Sequence, residues 1–476
     1  MMNFLPAALR EFLGSKFVRD TLTLQLGRLA VVGLGMIAWV FVPVRLGPVN
    51  YGLFALALTF LNIWRTLNLS GMAVSIDALL PAAVAQADRE EVLDLLAIAI
   101  KVTLVWALFS LAVLAVLGPA LAALLYRDPV TPLPAYGPDF AVLAGYRTVG
   151  NSAVGSLAAW LALILVFDPL YLLAQSCFRA RRAMRQAALL MTVNQVVLTA
   201  LQVLAALLWP TAAAQVAARV LFSVVATLLG LALYLHHRRH DEGLWPSPRA
   251  VLRRSVRVSL RGYWRFGLAN ALDKNLSGLF QFLPVQLVGV LAGQAAAGYV
   301  HLGLRLIDRS SILTQGVQDN MQAIVPQAVG RGNFIRLWHN FHRVLLALLL
   351  GGVLVYTALL LVAPLLLVPL FGEKWRPVLP LIPALAVFGL ATTLGGIFGP
   401  LYRALDLVMR MVWMRVLLLL LILPPGAWLV METGASGGVW IINALYLVSI
   451  GLTALLTLPT LYRHIRAERA TAASQV

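Results

Sequence analysis

The residues best suited to chemistry in this sequence are charged side chains inside long apolar segments. An ionised group at mid-bilayer costs roughly 2.5–3.5 kcal/mol on insertion scales, so such groups should face the protein interior or water. The basic members are Arg28, Arg65, Lys101, Arg219, Lys274, Arg305 and Arg309, and the acidic members are Asp168, Asp273 and Asp308. Because cations are in surplus and guanidinium groups bind phosphate through paired hydrogen bonds, the set predicts a site for an anionic ligand.

The densest group is Arg305, Asp308 and Arg309, which stand at positions i, i+3 and i+4 and share one face of a helix. We predict that this face binds the anionic ligand; the alternative is an ion pair between Asp308 and one arginine. Lys274 is the next candidate, although the adjacent Asp273 could neutralise it.

The remaining cations are weaker candidates for binding the same ligand. Lys101 lies partway across the membrane or extends its ammonium toward the interface. Arg28 and Arg65 stand near one end of their segments, where they either receive the ligand or add to the loop charge. Arg219 stands near the opposite end of its segment, where it either meets the departing anion or anchors the helix.

Asp168 precedes Pro169 inside an apolar segment. Proline removes a backbone donor and disfavours a helical residue before it, so this dipeptide predicts a break or kink. We interpret it as a hinge, with an ordinary structural kink as the alternative.

No metal or cofactor site is expected. His301, His339 and His342 have no further metal-ligating residues at a suitable spacing. The single cysteine, Cys177, excludes an internal disulfide and a cysteine-based metal cluster.

The elements that carry these residues must be transmembrane helices. The chain has 476 residues, 61% hydrophobic and 12% charged, which is more apolar surface than one soluble core can bury. Apolar runs of about 20 residues, enough to cross ~30 Å of hydrocarbon, recur along it. They predict an all-α transmembrane fold with spans near 23–43, 51–70, 92–118, 153–175, 187–208, 214–235, 265–287, 296–316, 343–369, 378–400, 411–430 and 438–460.

The basic residues of the loops predict the orientation. Counted on alternate sides, 25 Lys and Arg residues, Arg403 and Arg415 among them, fall on the side of both termini and 5 on the other. This asymmetry puts both termini in the cytoplasm of a multi-pass protein of the cell inner membrane. The net charge of +18 therefore reports topology, and no nucleic-acid partner is expected.

The longest basic loop divides the chain in the middle. We predict an N-terminal six-helix bundle over residues 1–235, a basic cytoplasmic linker over 236–263 and a C-terminal six-helix bundle over 264–476. Within the linker, Val251, Leu252, Ser255 and Val256 fall on one helical face among arginines. This pattern favours a helix that binds anionic lipid, with a solvated run of charges as the alternative.

The two halves show an internal repeat. Gly47 and Gly52 stand at the entry to the second span, and Gly293 and Gly298 stand at the entry to the eighth, with an offset of 246 positions between the members of each equivalent pair. Because each half has six spans, the repeats share one orientation. The predicted architecture is two parallel six-helix bundles with a central cleft.

Three segments carry a resemblance to a known family. RLGPVNYGLFALAL at 45–58, LVGVLAGQAAAGYVHLGLRL at 287–306 and PLFGEKWRPVLPLIPALAVFGL at 369–390 resemble, in that order, motifs of bacterial polysaccharide exporters. These belong to the multidrug/oligosaccharidyl-lipid/polysaccharide (MOP) flippase superfamily. Many relatives have an acidic residue shortly before the position of Val288 and Gly289, whereas this chain has Phe282 to Val285 there, which puts ion coupling at that position in doubt.

The resemblance implies a MATE-like fold and translocation of a polyprenyl-pyrophosphate-linked oligosaccharide from the cytoplasmic to the periplasmic leaflet by alternating access. The expected partners are this glycan substrate, membrane lipids and, through contacts, a polysaccharide polymerase or glycosyltransferases. The alternatives are a cation-coupled multidrug exporter of the same fold, a membrane glycan polymerase or glycosyltransferase, and a scaffold for other enzymes. No catalytic residues are assigned, because the chain is predicted not to be an enzyme.

Overall fold

The structure is a computed structural model that describes residues 16–68, 80, 83–84, 86–125, 152–181, 183–240, 245–259, 261–310, 321, 325, 328–329 and 332–474. Within these ranges, the side chains of residues 16–29, 123, 152, 184, 239–240, 261–267, 269–270 and 471–474 lie outside the description. The side chain of Arg28 is among these.

Every element in the described part of the chain is helical, which confirms the predicted all-α class. The α-helices are α1 (Lys16–Thr66), α2 (Arg89–Leu125), α3 (Ser152–Leu161), α4 (Ile164–Ala180), α5 (Met184–Leu208), α6 (Ala212–His240), α7 (Pro248–Arg257), α8 (Arg261–Leu291), α9 (Gln294–Ser310), α10 (Phe334–Phe371), α11 (Ile382–Ala404), α12 (Val408–Thr433) and α13 (Ala435–Ser474). A 3₁₀ helix, Glu373–Leu381, joins α10 to α11.

The chain is a multi-pass membrane protein. Nine segments of the described residues are long and apolar enough to cross a bilayer, and one of them, Ala30–Thr66, covers most of the first two predicted spans. The seventh and eighth predicted spans correspond to α8 and α9. The described part of α9 has only 17 residues, and polar residues such as Lys274 and Gln286 lower the mean hydropathy of α8.

Two glycines hold the turns that lead into α1b and α9. The backbone of α1 breaks at Gly47, whose φ of 71° lies in the left-handed region that glycine adopts without strain. We call residues 16–46 α1a and residues 48–66 α1b. Gly293, with φ of 91°, holds the turn between α8 and α9. These are the glycines that the repeat pairs with each other, so equivalent positions adopt the same type of backbone.

The helix boundaries follow the repeat for one further span. Helix α2 ends at Leu125 and α10 ends at Phe371, which are again 246 positions apart. Beyond these two helices the offset changes, since α5 begins at Met184 and α12 begins at Val408.

The described helices pack into two compact units. The first unit contains α1a and α2 to α7, and the second contains α1b, most of α8 and α9 to α13. Helix α1b therefore packs with the second unit, although it precedes the central linker in the sequence. The prediction that a linker over residues 236–263 separates the two bundles stays a prediction. The observed units differ from it in that α1b belongs to the second one.

Helix α1b is held in the second unit by close contact with α9. A Cβ atom on Gly52 would overlap the carbonyl oxygen of Gln294, and one on Gly298 would lie 2.5 Å from the carbonyl oxygen of Pro48. Missing Cβ atoms let two helices approach to backbone contact, which is a common packing mode in membranes. The two glycines that the repeat makes equivalent thus lie against each other.

The outward sides of most long helices are apolar. Helix α10 exposes Leu350, Leu354, Leu361 and Leu365 by 62–72%, in a row whose spacing follows one side of the helix. A soluble protein rarely exposes so large a continuous apolar surface, whereas lipid solvates it without cost. This surface marks the lipid-facing side of α10.

The contact at Gly52 gives a prediction for stability. Gly52→Ala places a methyl group against backbone atoms that cannot rotate away, so we expect the free energy of unfolding to fall by about 1–3 kcal/mol. The matched control is Gly451→Ala in α13, where an added Cβ has no atom within 4 Å. Thermal unfolding of the purified variants in detergent measures both, and equal melting temperatures would contradict the close approach.

Candidate functional site

Helix α9 presents a charged side. Its apolar residues Leu302, Leu304 and Ile307 are buried, whereas Arg305 and Asp308 are the exposed residues among its described positions. The guanidinium of Arg305 lies 3.9 Å from the carboxylate of Asp308, and the two side chains are 47% and 45% exposed. An ion pair this long and this exposed contributes little to stability. The helix therefore carries charges that are only loosely neutralised.

A buried hydrogen bond fixes the rotation of α9. The Nδ1 atom of His301 lies 3.1 Å from the hydroxyl oxygen of Tyr51 on α1b, and the ring of Trp375 packs edge-on against Tyr51 with 5.5 Å between centroids. Arg305 follows His301 by four residues, so it extends from the same side of α9 one turn further along. The role of His301 is thus to position α9, and no group of three metal-ligating residues is present in the described part of the chain.

Two further exposed cations lie on α1b and α8, one near the C-terminal end of α1b and the other in the middle of α8. The side-chain amide of Asn275 donates to the carbonyl oxygen of Thr66 at 2.8 Å. Arg65 and Lys274 each precede one member of this pair in the sequence, and both are exposed. The bond therefore holds the backbones that carry them side by side.

The exposed residues of these three helices contrast with those of α10. Among the described residues, α1b exposes only Arg65, and α8 exposes only Lys274 and, at its far end, Leu291. Charged groups are costly against lipid, so a helix that exposes them should face water. We call Arg65, Lys274, Arg305, Asp308 and Arg309 the ionic face. It carries four cations and one anion.

The sequence suggested that Asp273 could neutralise its neighbour Lys274. In the structure the two residues do not pair. Successive helical residues point in different directions, and the fully buried carboxylate of Asp273 turns inward. There it accepts hydrogen bonds from Arg415, from Arg403 at 3.3 Å and from the hydroxyl of Tyr402 at 2.6 Å. Lys274 therefore lies on the exposed side of α8, away from this carboxylate.

The assignment of Arg415 to a cytoplasmic loop was wrong. Arg415 is buried within α12, and its guanidinium also donates to the backbone carbonyl of Asp273 at 2.6 Å. The available signal was its position inside the predicted eleventh span, residues 411–430, where a charge requires a partner. Together with Arg403 it forms a closed polar cluster that links α8, α11 and α12.

Lys101, in the first unit, has a structural partner. Its ammonium donates to the carbonyl oxygens of Val258 at 3.0 Å and Val256 at 3.4 Å. These carbonyls end α7, where a cation is favoured by the unpaired acceptors and the helix dipole.

Asp168 and Arg219 also pair with each other in the first unit. The guanidinium of Arg219 lies 3.3 Å from the carboxylate of Asp168, which also accepts a hydrogen bond from Ser223. Pro169 lies inside α4 rather than at its end, and the break falls at the turn between α3 and α4. The side chain before the proline thus links α4 to α6, and the hinge stays a prediction.

Comparison with known proteins gives a family and a fold. The sequence profile of the polysaccharide biosynthesis protein family matches residues 17–308, which is more than half of the chain. No curated protein sequence matches the chain.

Several solved structures share the fold at low sequence identity. An inward-facing multidrug resistance MATE family transporter of the MOP superfamily is 15% identical with a TM-score of 0.66, over 93% of this chain and 99% of that chain. The MATE multidrug transporter DinF-BH, solved in complex with a ligand, is 17% identical with a TM-score of 0.64, over 97% of both chains. A MOP superfamily transporter from Pyrococcus furiosus is 15% identical with a TM-score of 0.60, over 94% and 95%. The predicted MATE-like fold is confirmed.

The closed cluster around Asp273 gives a second stability prediction. Arg415→Gln leaves a buried carboxylate without its principal cation, and breaking such a pair costs about 3–5 kcal/mol. Arg410→Gln, at an exposed position of the same helix, should change stability by less than about 0.5 kcal/mol. The double variant Asp273→Asn/Arg415→Gln should regain part of the loss, because neither charge remains. Thermal unfolding in detergent checks the three variants, and an unaltered Arg415→Gln protein would contradict the buried ion pair.

Proposed function

The chain belongs to the polysaccharide biosynthesis protein family, and we propose that it is a transporter rather than an enzyme and translocates a lipid-linked oligosaccharide. The cargo is a glycan precursor on a polyprenyl diphosphate, and it moves from the cytoplasmic to the periplasmic leaflet of the inner membrane. The ionic face binds the diphosphate, and the polyprenyl tail stays in the bilayer.

The observation that carries this proposal is the exposure of the ionic face. Helices α1b, α8 and α9 expose cations, whereas α10 exposes leucines. Two unit charges 4 Å apart attract each other by about 4 kcal/mol at an effective dielectric constant of 20, so a diphosphate near several of these cations is strongly favoured. A neutral sugar alone would not require such a face.

The contacts of each predicted residue refine the proposed site. Arg305 and Arg309 are the principal ligands, because the one carboxylate of Asp308, 3.9 Å from Arg305, cannot neutralise two guanidinium groups. Arg65, near the C-terminal end of α1b, and Lys274, in the middle of α8, receive the headgroup. Lys101 is engaged by backbone carbonyls and Arg219 by Asp168, so we leave both out of the refined site.

Alternating access follows from the family and the charge of the cargo. The ionic face opens first to the cytoplasm and then to the periplasm. Moving negative charge outward, away from a negative interior, is favourable by ~2.3 kcal/mol per charge per 100 mV. The membrane potential therefore supplies a direction for export without a coupling ion.

The charge of the ionic face also separates this proposal from multidrug export. A cationic drug would be repelled by the surplus of positive charge, and the first predicted span has no acidic residue between positions 21 and 44. The MOP superfamily transporter from Pyrococcus furiosus, which has a similar fold, is described as having a binding pocket of reverse polarity, which suggests a different function for that protein. We use the charge of the ionic face in the same way, as an indication of the charge of the cargo.

The principal experiment neutralises the two arginines of α9. In a cell whose surface polysaccharide depends on this gene, we expect Arg305→Gln/Arg309→Gln to lower glycan export at least about tenfold, since a charged hydrogen bond contributes about 1.5–3 kcal/mol. Undelivered lipid-linked precursor should accumulate. Blots of surface glycan and mass spectrometry of extracted precursor measure the two effects.

The matched control is Arg336→Gln/Arg343→Gln, which removes the same charge from exposed positions of α10 outside the ionic face. This variant should export glycan normally. Normal export by the Arg305/Arg309 variant, at unchanged protein level, would refute the proposed site. Loss of resistance to a cationic drug with glycan export intact would favour the multidrug alternative.

The topology is tested separately by single cysteines in a Cys177→Ala background. With both termini in the cytoplasm, Arg376→Cys in the 3₁₀ helix should react with a membrane-impermeant maleimide in intact cells. Arg410→Cys at the start of α12 should react only after the membrane is opened. The opposite pattern would reverse the proposed orientation.

A further inference from the structure

The short helix α7 in the central linker has a firmly defined beginning. The side-chain oxygen of Ser247 accepts a hydrogen bond from the backbone N–H of Ala250 at 3.1 Å, and a proline follows at the first helical position. Just before it, the buried ring of Trp245 packs edge-on against Tyr234 of α6 at 4.9 Å. The hydroxyl of Tyr234 donates to the carbonyl oxygen of Pro246 at 2.8 Å. The N-terminal end of α7 is therefore attached to α6.

The other end and one side of α7 are attached to α2. Lys101 binds the carbonyl of Val258, as described above. Arg254 donates from two nitrogens to the two carboxylate oxygens of Asp94, at 2.5 and 3.0 Å. This paired bond raises the pKa of the Arg254 guanidinium and neutralises one of the positive charges of α7. The helix is thus held in one orientation.

That orientation gives α7 two unlike sides. Val251 and Ser255, one turn apart, are buried against the first unit. The adjoining side exposes Leu252 by 54% and Val256 by 77%, and beyond them lie the exposed arginines Arg249, Arg253 and Arg257. An apolar strip next to an arginine strip is the pattern of a helix that lies in a membrane interface.

The neighbouring surface of α2 indicates where the membrane begins. Val105 and Leu108 follow Lys101 by one and two turns, and they are 65% and 60% exposed. These are the first residues of the apolar outer side of α2. Because Lys101 contacts the C-terminal end of α7, the exposed Leu252 and Val256 lie next to the start of this lipid-facing surface.

We propose that α7 is a binding site for the headgroups of anionic phospholipids. Arg249, Arg253 and Arg257 contact lipid phosphates, and Leu252 and Val256 insert beside the acyl chains. Arg254 is not a lipid ligand, because Asp94 occupies its guanidinium. A merely solvated run of charges would not turn its apolar side chains outward, next to the apolar surface of α2.

The test uses the full chain in lipid nanodiscs. A fluorophore on Val256→Cys, in the Cys177→Ala background, reports contact with lipids that carry a quencher in the acyl chain. We expect at least twofold stronger quenching in discs that contain phosphatidylglycerol than in discs of phosphatidylcholine alone. Arg249→Gln/Arg253→Gln/Arg257→Gln should abolish this difference.

The matched control removes three exposed arginines elsewhere. Arg463→Gln/Arg466→Gln/Arg469→Gln on α13 lowers the net charge equally and should leave the phosphatidylglycerol effect intact. Equal quenching in both kinds of disc would overturn the proposal and favour a soluble anionic partner. Loss of the effect in the control variant would overturn it as well, because overall charge would then suffice. No cargo is present, so the result is independent of the proposed transport.

Discussion

The structure depends on one constraint: an ionised side chain in an apolar helix needs either an opposite charge or water. Most of the described charges adopt one of these two solutions, and Lys101 instead binds backbone carbonyls. Asp273 pairs with Arg415 and Arg403, and Asp168 pairs with Arg219. Arg65, Lys274 and Arg305 are exposed, with Asp308 as a distant counter-ion of Arg305. Charges of the first kind join helices, and those of the second kind are available to a ligand.

The second unit uses both solutions on adjoining helices. In α8 the two residues Asp273 and Lys274 follow each other directly, yet the first is fully buried and the second is exposed. The carboxylate connects α8 to α11 and α12 and thereby sets the rotation of α8. That rotation in turn directs Lys274 outward. The closed cluster is thus part of what orients the ionic face, although it does not belong to it.

Local periodicity was sufficient to predict much of this. The all-helical class, the connections at Gly47 and Gly293 and the neighbouring positions of Arg305, Asp308 and Arg309 on α9 all depend on residues close together in the sequence. The partners of Asp273 could not be predicted from local periodicity, because Arg403 and Arg415 lie 130 and 142 positions away in the sequence. The two carbonyls that bind Lys101 carry no side-chain signal at all.

The same limit explains α1b. Its sequence shows an apolar helix after a Gly-Pro turn, and nothing in it reveals that the helix packs with the second unit. That association comes from two flat backbone surfaces, at Gly52 and Gly298, and from hydrogen bonds of α1b to His301, Asn275 and Gln286. Glycine leaves no side chain from which a partner could be inferred.

The contact between Gly52 and Gly298 has a consequence for how this sequence can vary. The two positions are copies of each other by the repeat, and each one is closed to a side chain by backbone atoms near the other. If a substitution adds a methyl group at one position, no smaller residue at the other position can make room for it, because glycine is already the smallest residue. Two positions that could otherwise diverge after duplication are thereby held to the same residue.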